Sequence, residues 1–334
     1  MNIAFITNGS SKIGYGHVSR VLTLKSYFDS KGLETKIIVP NTFSFETNQN
    51  YIKVSSFDQS KLENILSGFK VVIIDSIEED YDRLSWVSSM RIFTVSITLF
   101  LFNFNKRYEH LSFFPSIHDS YSKKINGVTK LYAGREFVVF KKEFNQVKYE
   151  VRKSAKNVLI TMGGTDPFRL TKLVVDSIIE MPEINFTILL SNKAKDYNYI
   201  KGVIEGKANF KLLDFENNIA KLFVNHDLAI INGGLTRYEV CVIGLPFIAL
   251  SIHKKQYDIT QKFVDKGVGG NIGIYTKVSK TEIIKETQNI LSDYNRRLEM
   301  SNNMRGLFDN QASKRIFSTI SKEFLEYEKN DQKG

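Results

Sequence analysis

The chain has 334 residues, 42% of them hydrophobic and 25% charged, a formal net charge of +10 and a single cysteine. That length accommodates two domains, each able to bury its own core, and the composition excludes a wholly disordered chain. Cys241 alone excludes an internal disulfide framework and a cysteine-rich zinc site, and the lysines are scattered rather than blocked, so the basic charge reads as no nucleic-acid footprint.

The opening residues lack a basic n-region, and their apolar run is too short for a secretory signal, which predicts a cytoplasmic protein. Residues 2–7 (NIAFIT) predict a short strand, followed by a Gly/Ser loop. A helix is expected over 16–32, where Val18, Val21, Leu22, Leu24 and Phe28 recur at broadly helical spacing and Gly32 stops the run. Residues 34–40 predict the next strand and 61–69 the next helix. Residues 70–75 (KVVIID) are continuously apolar up to Asp75, the pattern of a strand covered on both faces. The most apolar patch, 91–107, is shorter than the ~20 residues that span a bilayer and reads as buried strand.

A polar, lysine-rich stretch at 141–156 predicts a partly helical linker. The alternation then restarts, with strands at 157–161, 185–191, 209–215, 228–234 and 246–252 and helices at 169–179, 218–226, 236–244 and 255–267, before a charged helical tail from 279 onward. Two successive βα halves imply an α/β protein of two Rossmann-like, doubly wound domains, 1–150 and 151–334, facing each other across a cleft, the second carrying the tail.

Three glycine-bearing loops each follow an apolar strand and precede a helix: GYGH (14–17), MGGTDP (162–167) and INGGLTRYE (231–239). Such turns bring backbone N–H groups and a helix dipole to an anion; the bland alternative is three ordinary tight turns. No G-x-x-x-x-G-K-[ST] is present, and no G-x-G-x-x-G opens a helix, so a P-loop ATPase and a dinucleotide enzyme are disfavoured. His110, His118, His226 and His253 show no metal-ligand spacing and read as surface or packing residues, so no metal and no cofactor is expected.

His17 differs by its setting, behind Gly14 and Gly16 at the start of a helix. The positive end of the helix dipole disfavours an imidazolium, and a neutral ring there can act as a base. The alternative is a histidine that only bonds local backbone. Asp75, Asp166 and Glu239 are the carboxylates at strand ends, and Glu239 is placed to accept hydrogen bonds from a ribose.

IGYGHVSR, MGGTDP, NNIAKL and INGGLTRYEVCVIGLPFIAL…KKQ resemble, in order and spacing, the UDP-sugar hydrolase of pseudaminic acid biosynthesis. That family belongs to the GT-B superfamily, whose nearer transferase relative is MurG, and it releases UDP from a diacetamido-trideoxy sugar. The resemblance covers roughly residues 1–275. It implies that His17 activates the attacking water, with Gly14 and Gly16 near the diphosphate or sugar. It further implies that Gly163, Gly164 and Thr165 line the cleft, Phe215 lies beside the uracil, and Gly233, Gly234, Leu235 and Thr236 hold the pyrophosphate. Glu239 would bind the ribose, and Gln256 would face the sugar.

Three departures stand out. The family's Asp-His-Tyr-Gly-like stretch reads Asp75-Ser76-Ile77-Glu78, its Asp-Asp-Leu-like turn reads Ser96-Ile97-Thr98, and the asparagine of its Asn-Gln pair is Lys255. All three fall on the sugar or nucleophile side. Three readings therefore stay open: hydrolysis of a UDP-sugar in bacterial surface-glycan biosynthesis, inverting transfer from a UDP-sugar to a sugar or lipid-linked acceptor, and UDP-sugar binding without turnover. A transferase would work at the periphery of the inner membrane, and no obligate protein partner is evident.

Overall fold

A computed structural model describes residues 2–10, 13–45, 49–98, 107–125, 129–164, 166–214, 216 and 218–331. They divide into two compact units, Met1–Lys141 with Asn310–Gly334, and Lys142–Asp309. In chain order the first unit contains β1 (Asn2–Thr7), α1 (Gly16–Asp29), β2 (Glu34–Pro40), β3 (Tyr51–Val54), α2 (Gln59–Leu66), β4 (Val71–Asp75), α3 (Glu78–Arg83), β5 (Phe93–Ile97), β6 (Leu111–Pro115), β7 (Tyr121–Ile125) and β8 (Thr129–Gly134). The second contains β9 (Asn157–Thr161), α4 (Leu170–Ile178), β10 (Asn185–Leu189), α5 (Tyr197–Val203), β11 (Phe210–Leu213), α6 (Ile219–Val224), β12 (Leu228–Asn232), α7 (Thr236–Ile243), β13 (Phe247–Ser251), α8 (Lys254–Val264), β14 (Gly270–Ile274), α9 (Lys280–Ser292) and α10 (Tyr294–Met304). The chain then returns to the first unit as α11 (Ala312–Asp331).

The first sheet has the order β3-β2-β1-β4-β5-β6-β8-β7, parallel except for the antiparallel β7–β8 pair. Its central strands are apolar on both faces because both are covered. Alternate residues Ile3, Phe5, Val71, Ile73 and Val95 meet Val18, Val21, Leu24 and Phe28 of α1. Ala4, Ile6, Val72 and Ile74 meet Leu62 and Leu66 of α2 and Tyr81 of α3 on the other side. The second sheet, β11-β10-β9-β12-β13-β14, is parallel throughout. In each unit the first strand sits centrally, and the strand order runs outward in opposite directions from it. The gap beside β1 and β4, and that beside β9 and β12, are therefore topological switch points, where open α/β sheets bind ligands at the strands' carboxyl ends.

The helical tail, expected with the second domain, lies elsewhere. Ile316, Ile320 and Phe324 of α11 enter the first unit's core beside α1, and Glu323 accepts from Lys130 Nζ (2.6 Å) and Tyr132 Oη (3.0 Å). The boundary also falls at 141/142 rather than at 150. Helical spacing marks which face of a helix is apolar but not which sheet it covers. Of the patch at 91–107, residues 93–97 form β5, while 99–106 lie outside the described residues. Among the described residues, no helix is long and apolar enough to cross a membrane.

One buried carboxylate staples the start of the second unit. Asp227 accepts from Arg152 Nη1 (2.8 Å) and from the backbone N–H groups of Lys156 and Asn157 (both 2.9 Å) at the entry to β9. Asp227→Ala leaves the Lys156 and Asn157 N–H groups without this acceptor and takes the carboxylate from Arg152, which keeps the His226 and Val224 carbonyls. It is expected to cost about 1–3 kcal/mol, read as a lowered midpoint in urea unfolding.

Candidate active site

At the first switch point, the loop after β1 is closed by the Gly14 N–H, which donates to the Ser10 carbonyl (2.8 Å); Gly14 has φ +83°, a conformation glycine adopts without a Cβ penalty. This turn delivers the chain into α1, whose second residue is His17. The register of β1 against β4 sets Thr7 beside Asp75, so the carboxylate emerges under the start of α1. His17 Nδ1 lies 2.7 Å from Asp75 Oδ1. One helical turn on, Arg20 grips the same carboxylate in a fork, Nε to Oδ2 and Nη2 to Oδ1, both at 2.6 Å. Asp75 is fully buried and Arg20 5% exposed, whereas the His17 side chain retains 15% exposure.

The protonation pattern follows from this geometry. Burial pulls the Asp75 carboxyl up, but Arg20 and the His17 hydrogen bond outweigh it, and the carboxyl is held below its ordinary value. An ionised carboxylate only accepts, so Nδ1 of His17 carries a proton and donates it to Asp75, leaving Nε2 as the nitrogen that can exchange a proton. Arg20 Nη2 approaches Nδ1 at 3.4 Å, but both are donors, so this contact is no hydrogen bond. The result is an imidazole fixed in one orientation, with an anion poised to stabilise the imidazolium that forms on proton uptake at Nε2. The sequence reading found His17 and saw Asp75 only as a strand-end carboxylate. It missed Arg20, whose signal was the i, i+3 spacing from His17 within GHVSR.

The first departure from the hydrolase pattern follows Asp75 directly in the chain. Ser76 Oγ (2.5 Å) and Asn8 Nδ2 (3.0 Å) both donate to Asp80 Oδ2, forming a buried polar cluster past the ends of β1 and β4. Ser96 donates to the buried Glu109 (2.7 Å), which is paired with Arg107 (2.7 Å). Thr98 is buried, and Lys255 is exposed on the first turn of α8.

At the second unit's switch point, two glycine loops lie side by side. Asn232, the last residue of β12, donates from Nδ2 to the Met162 carbonyl (2.7 Å) and accepts the Gly234 N–H at Oδ1 (3.0 Å). The Gly233 N–H is taken by the Leu250 carbonyl (3.0 Å). The glycines' own N–H groups are thus committed internally. What the turn leaves without a partner among the described residues are the N–H groups of Leu235, Thr236 and Arg237, where α7 starts with no side-chain cap. Glu239 is half-buried in the same first turn. Gln256 is drawn against the loop: a Cβ on Gly233 would meet its Cβ and Oε1 at 3.0 Å, and Oε1 accepts the Ile252 N–H (2.9 Å).

The other loop of this unit is already occupied by a protein anion. Gly163 takes φ +92°, and Asp166, at φ +40°, accepts the Leu170 (3.0 Å) and Thr171 (2.6 Å) N–H groups. The start of α4 is therefore filled by its own carboxylate. Gly163 and Gly164 sit at this loop, while Thr165 and Phe215 lie outside the described residues. His253 caps α8 by accepting the Gln256 N–H (3.3 Å), and His226 Nδ1 bonds the Leu222 carbonyl (2.7 Å), both structural roles.

Residues 158–316 match the glycosyltransferase family 28 C-terminal domain. The chain is 26% identical over 201 residues to the spore coat polysaccharide biosynthesis protein SpsG of Bacillus subtilis (strain 168), and this match covers 59% of each chain. It is 21% identical over 277 residues to the UDP-2,4-diacetamido-2,4,6-trideoxy-beta-L-altropyranose hydrolase of Campylobacter jejuni subsp. jejuni, covering 80% of this chain and 97% of that one. Among solved structures, MurG of Acinetobacter baumannii superposes with a TM-score of 0.67 at 15% identity, over 96% of this chain and 99% of that one. The chain thus has the two-domain GT-B fold of MurG, and its residues 158–316 are similar to the glycosyltransferase family 28 C-terminal domain.

Proposed function

We propose that the protein is a UDP-sugar enzyme of glycan biosynthesis that cleaves the bond between the anomeric carbon and the diphosphate, with water as nucleophile. The observation that carries this reading is the His17–Asp75–Arg20 arrangement: a histidine with one nitrogen locked to a buried carboxylate and the other left basic. His17 Nε2 takes the proton as the water oxygen bonds to the anomeric carbon, and the C–O bond to phosphate breaks with its electron pair leaving on UDP. A single displacement of this kind inverts the anomeric carbon. Diphosphate is a good leaving group, so no strong acid is required.

The nucleotide is assigned to the second unit. The N–H groups of Leu235, Thr236 and Arg237 and the dipole of α7 face the charge that builds on the departing phosphate, and Glu239 holds the ribose. Gly14, Gly16, Gly163 and Gly164 let the backbone approach, and Gln256 serves the sugar. Gly234→Ala tests this part. Its Cβ would stand 2.8 Å from Asn232 Oδ1, so it parts the two glycine loops. UDP affinity is expected to fall roughly tenfold in calorimetric titration.

A second reading keeps the donor and replaces water by an acceptor hydroxyl. The match to a glycosyltransferase domain favours it, and so do the departures at Ser76, Ile77, Ser96–Thr98 and Lys255. UDP release from a panel of UDP-sugars, diacetamido-trideoxy hexoses included, separates the two. Release in buffer alone supports hydrolysis, and release only with an added acceptor supports transfer. No release from any donor, with or without acceptors, sinks both.

A further inference from the structure

The buried arginine side chains are not equally compensated. Arg20 is paired with Asp75 and Arg107 with Glu109. Arg297, 1% exposed, donates to the Ile290 (2.7 Å) and Leu291 carbonyls at the negative end of α9 and to the Arg152 and Lys153 carbonyls (both 3.1 Å).

Arg237 is the exception. It is 3% exposed in the first turn of α7, donating from Nε to the Gly234 carbonyl (3.1 Å) and from Nη1 to the Gln256 carbonyl (3.1 Å) and Thr260 Oγ1 (2.6 Å). Among the described residues, its hydrogen bonds reach no carboxylate. Gln256 lies in the first turn of α8, so this cation stands at the positive ends of two helices. Burial draws its titration down from the ordinary arginine value. A buried charge without a counter-charge is costly in a folded protein, and the rings of Phe263 (5.4 Å) and Tyr238 (6.0 Å) beneath the guanidinium offset only part of that cost. The arginine's own N–H and the carbonyl it grips both belong to the turn that leaves the Leu235, Thr236 and Arg237 N–H groups without a partner among the described residues.

We infer that Arg237 is a specificity residue of this turn, a fixed counter-charge whose missing partner is the diphosphate of the bound nucleotide. It makes the site select a nucleoside diphosphate over a monophosphate. The inference rests on the nucleotide site proposed above. Arg237 acts from behind the loop, its fork holding Gly234 and the start of α8 in place while its charge remains unneutralised until the second phosphate arrives. A merely structural clamp would serve UDP and UMP alike, whereas a counter-charge distinguishes them.

Calorimetric titration of the full chain with UDP and with UMP, for the wild type, Arg237→Lys and Arg237→Gln, tests it. The wild type is expected to bind UDP at least roughly tenfold more tightly than UMP. Arg237→Gln is expected to lose roughly ten- to hundredfold in UDP affinity and much less in UMP affinity, and Arg237→Lys, which keeps the charge but not the fork, to preserve the preference. An unchanged UDP-to-UMP ratio in Arg237→Gln, or equal losses for both ligands, overturns the inference while leaving the nucleotide site standing. Should Arg237→Gln fail to fold, equal affinities in the wild type, or a preference lost in a folded Arg237→Lys, overturn it instead. Binding of neither nucleotide by the wild type overturns the site itself and this inference with it.

Discussion

His17→Asn is expected to fold, to bind UDP with unchanged affinity, and to lose roughly 10²- to 10⁴-fold in UDP release from its substrate, the range for removal of a positioned general base. The fold is spared because the Arg20–Asp75 fork stands on its own at 2.6 Å without the imidazole. Nucleotide binding is expected to be spared because the donors proposed for it belong to another unit of the chain. Stopped-time assays of UDP release alongside UDP calorimetry check both halves. Turnover at the wild-type rate would remove His17 from the chemistry, and a parallel loss of UDP affinity would recast it as a binding residue.

Asp75→Asn is expected to be as damaging to turnover and more damaging to the fold. Arg20 demands an acceptor, so the asparagine carbonyl turns to the guanidinium and the amide NH₂ faces His17 Nδ1. That Nδ1 must then accept, the ring proton moves to Nε2, and the base is lost with the geometry intact. A loss of roughly 10³- to 10⁴-fold follows, as when the carboxylate partner of a catalytic histidine is neutralised in serine proteases. Arg20, 5% exposed, is meanwhile left without an anion, at a cost of about 3–5 kcal/mol.

The pH dependence of that cost has a definite sign. The Asp75 carboxyl is held below its ordinary value of 3.8, so its contribution to stability is fully present above 3.8 and is lost as pH falls through the lower folded-state value. The stability gap between wild type and Asp75→Asn should therefore close as pH falls below about 4, measured as urea midpoints from about pH 5 downward. A gap that persists undiminished at pH 2 would show that the carboxylate charge does not hold Arg20.

The fold was largely legible in the amino-acid order. Parallel sheets covered on both faces leave continuous apolar runs such as NIAFIT, KVVIID and LAIIN, and helices between them repeat their apolar residues at 3.6-residue spacing. Less legible were α3, β3, β6, β7, β8, α5 and β14, short elements whose own patterns do not name what they pack against. The placement of α11 was hidden for the same reason. Its stripe Ile316–Ile320–Phe324 fits any apolar helix layer of suitable width, and only the open flank of α1 selected the first unit.

What the order of residues determined alone was the local chemistry: a histidine behind two glycines at a helix start, and glycine turns at strand ends, since these depend on spacing within a dozen residues. Tertiary structure alone decided which charges face one another. Asp75 reaches His17 across 58 residues because β4 pairs with β1, and Asn232 reaches Met162 across 70 because β12 pairs with β9. Arg20 and Arg237 look alike in sequence, each three or four residues past a glycine within the first turns of a helix. Among the described residues, one meets a carboxylate at the end of β4 and the other meets only the Gly234 carbonyl and α8, a difference set by what packs beside each helix.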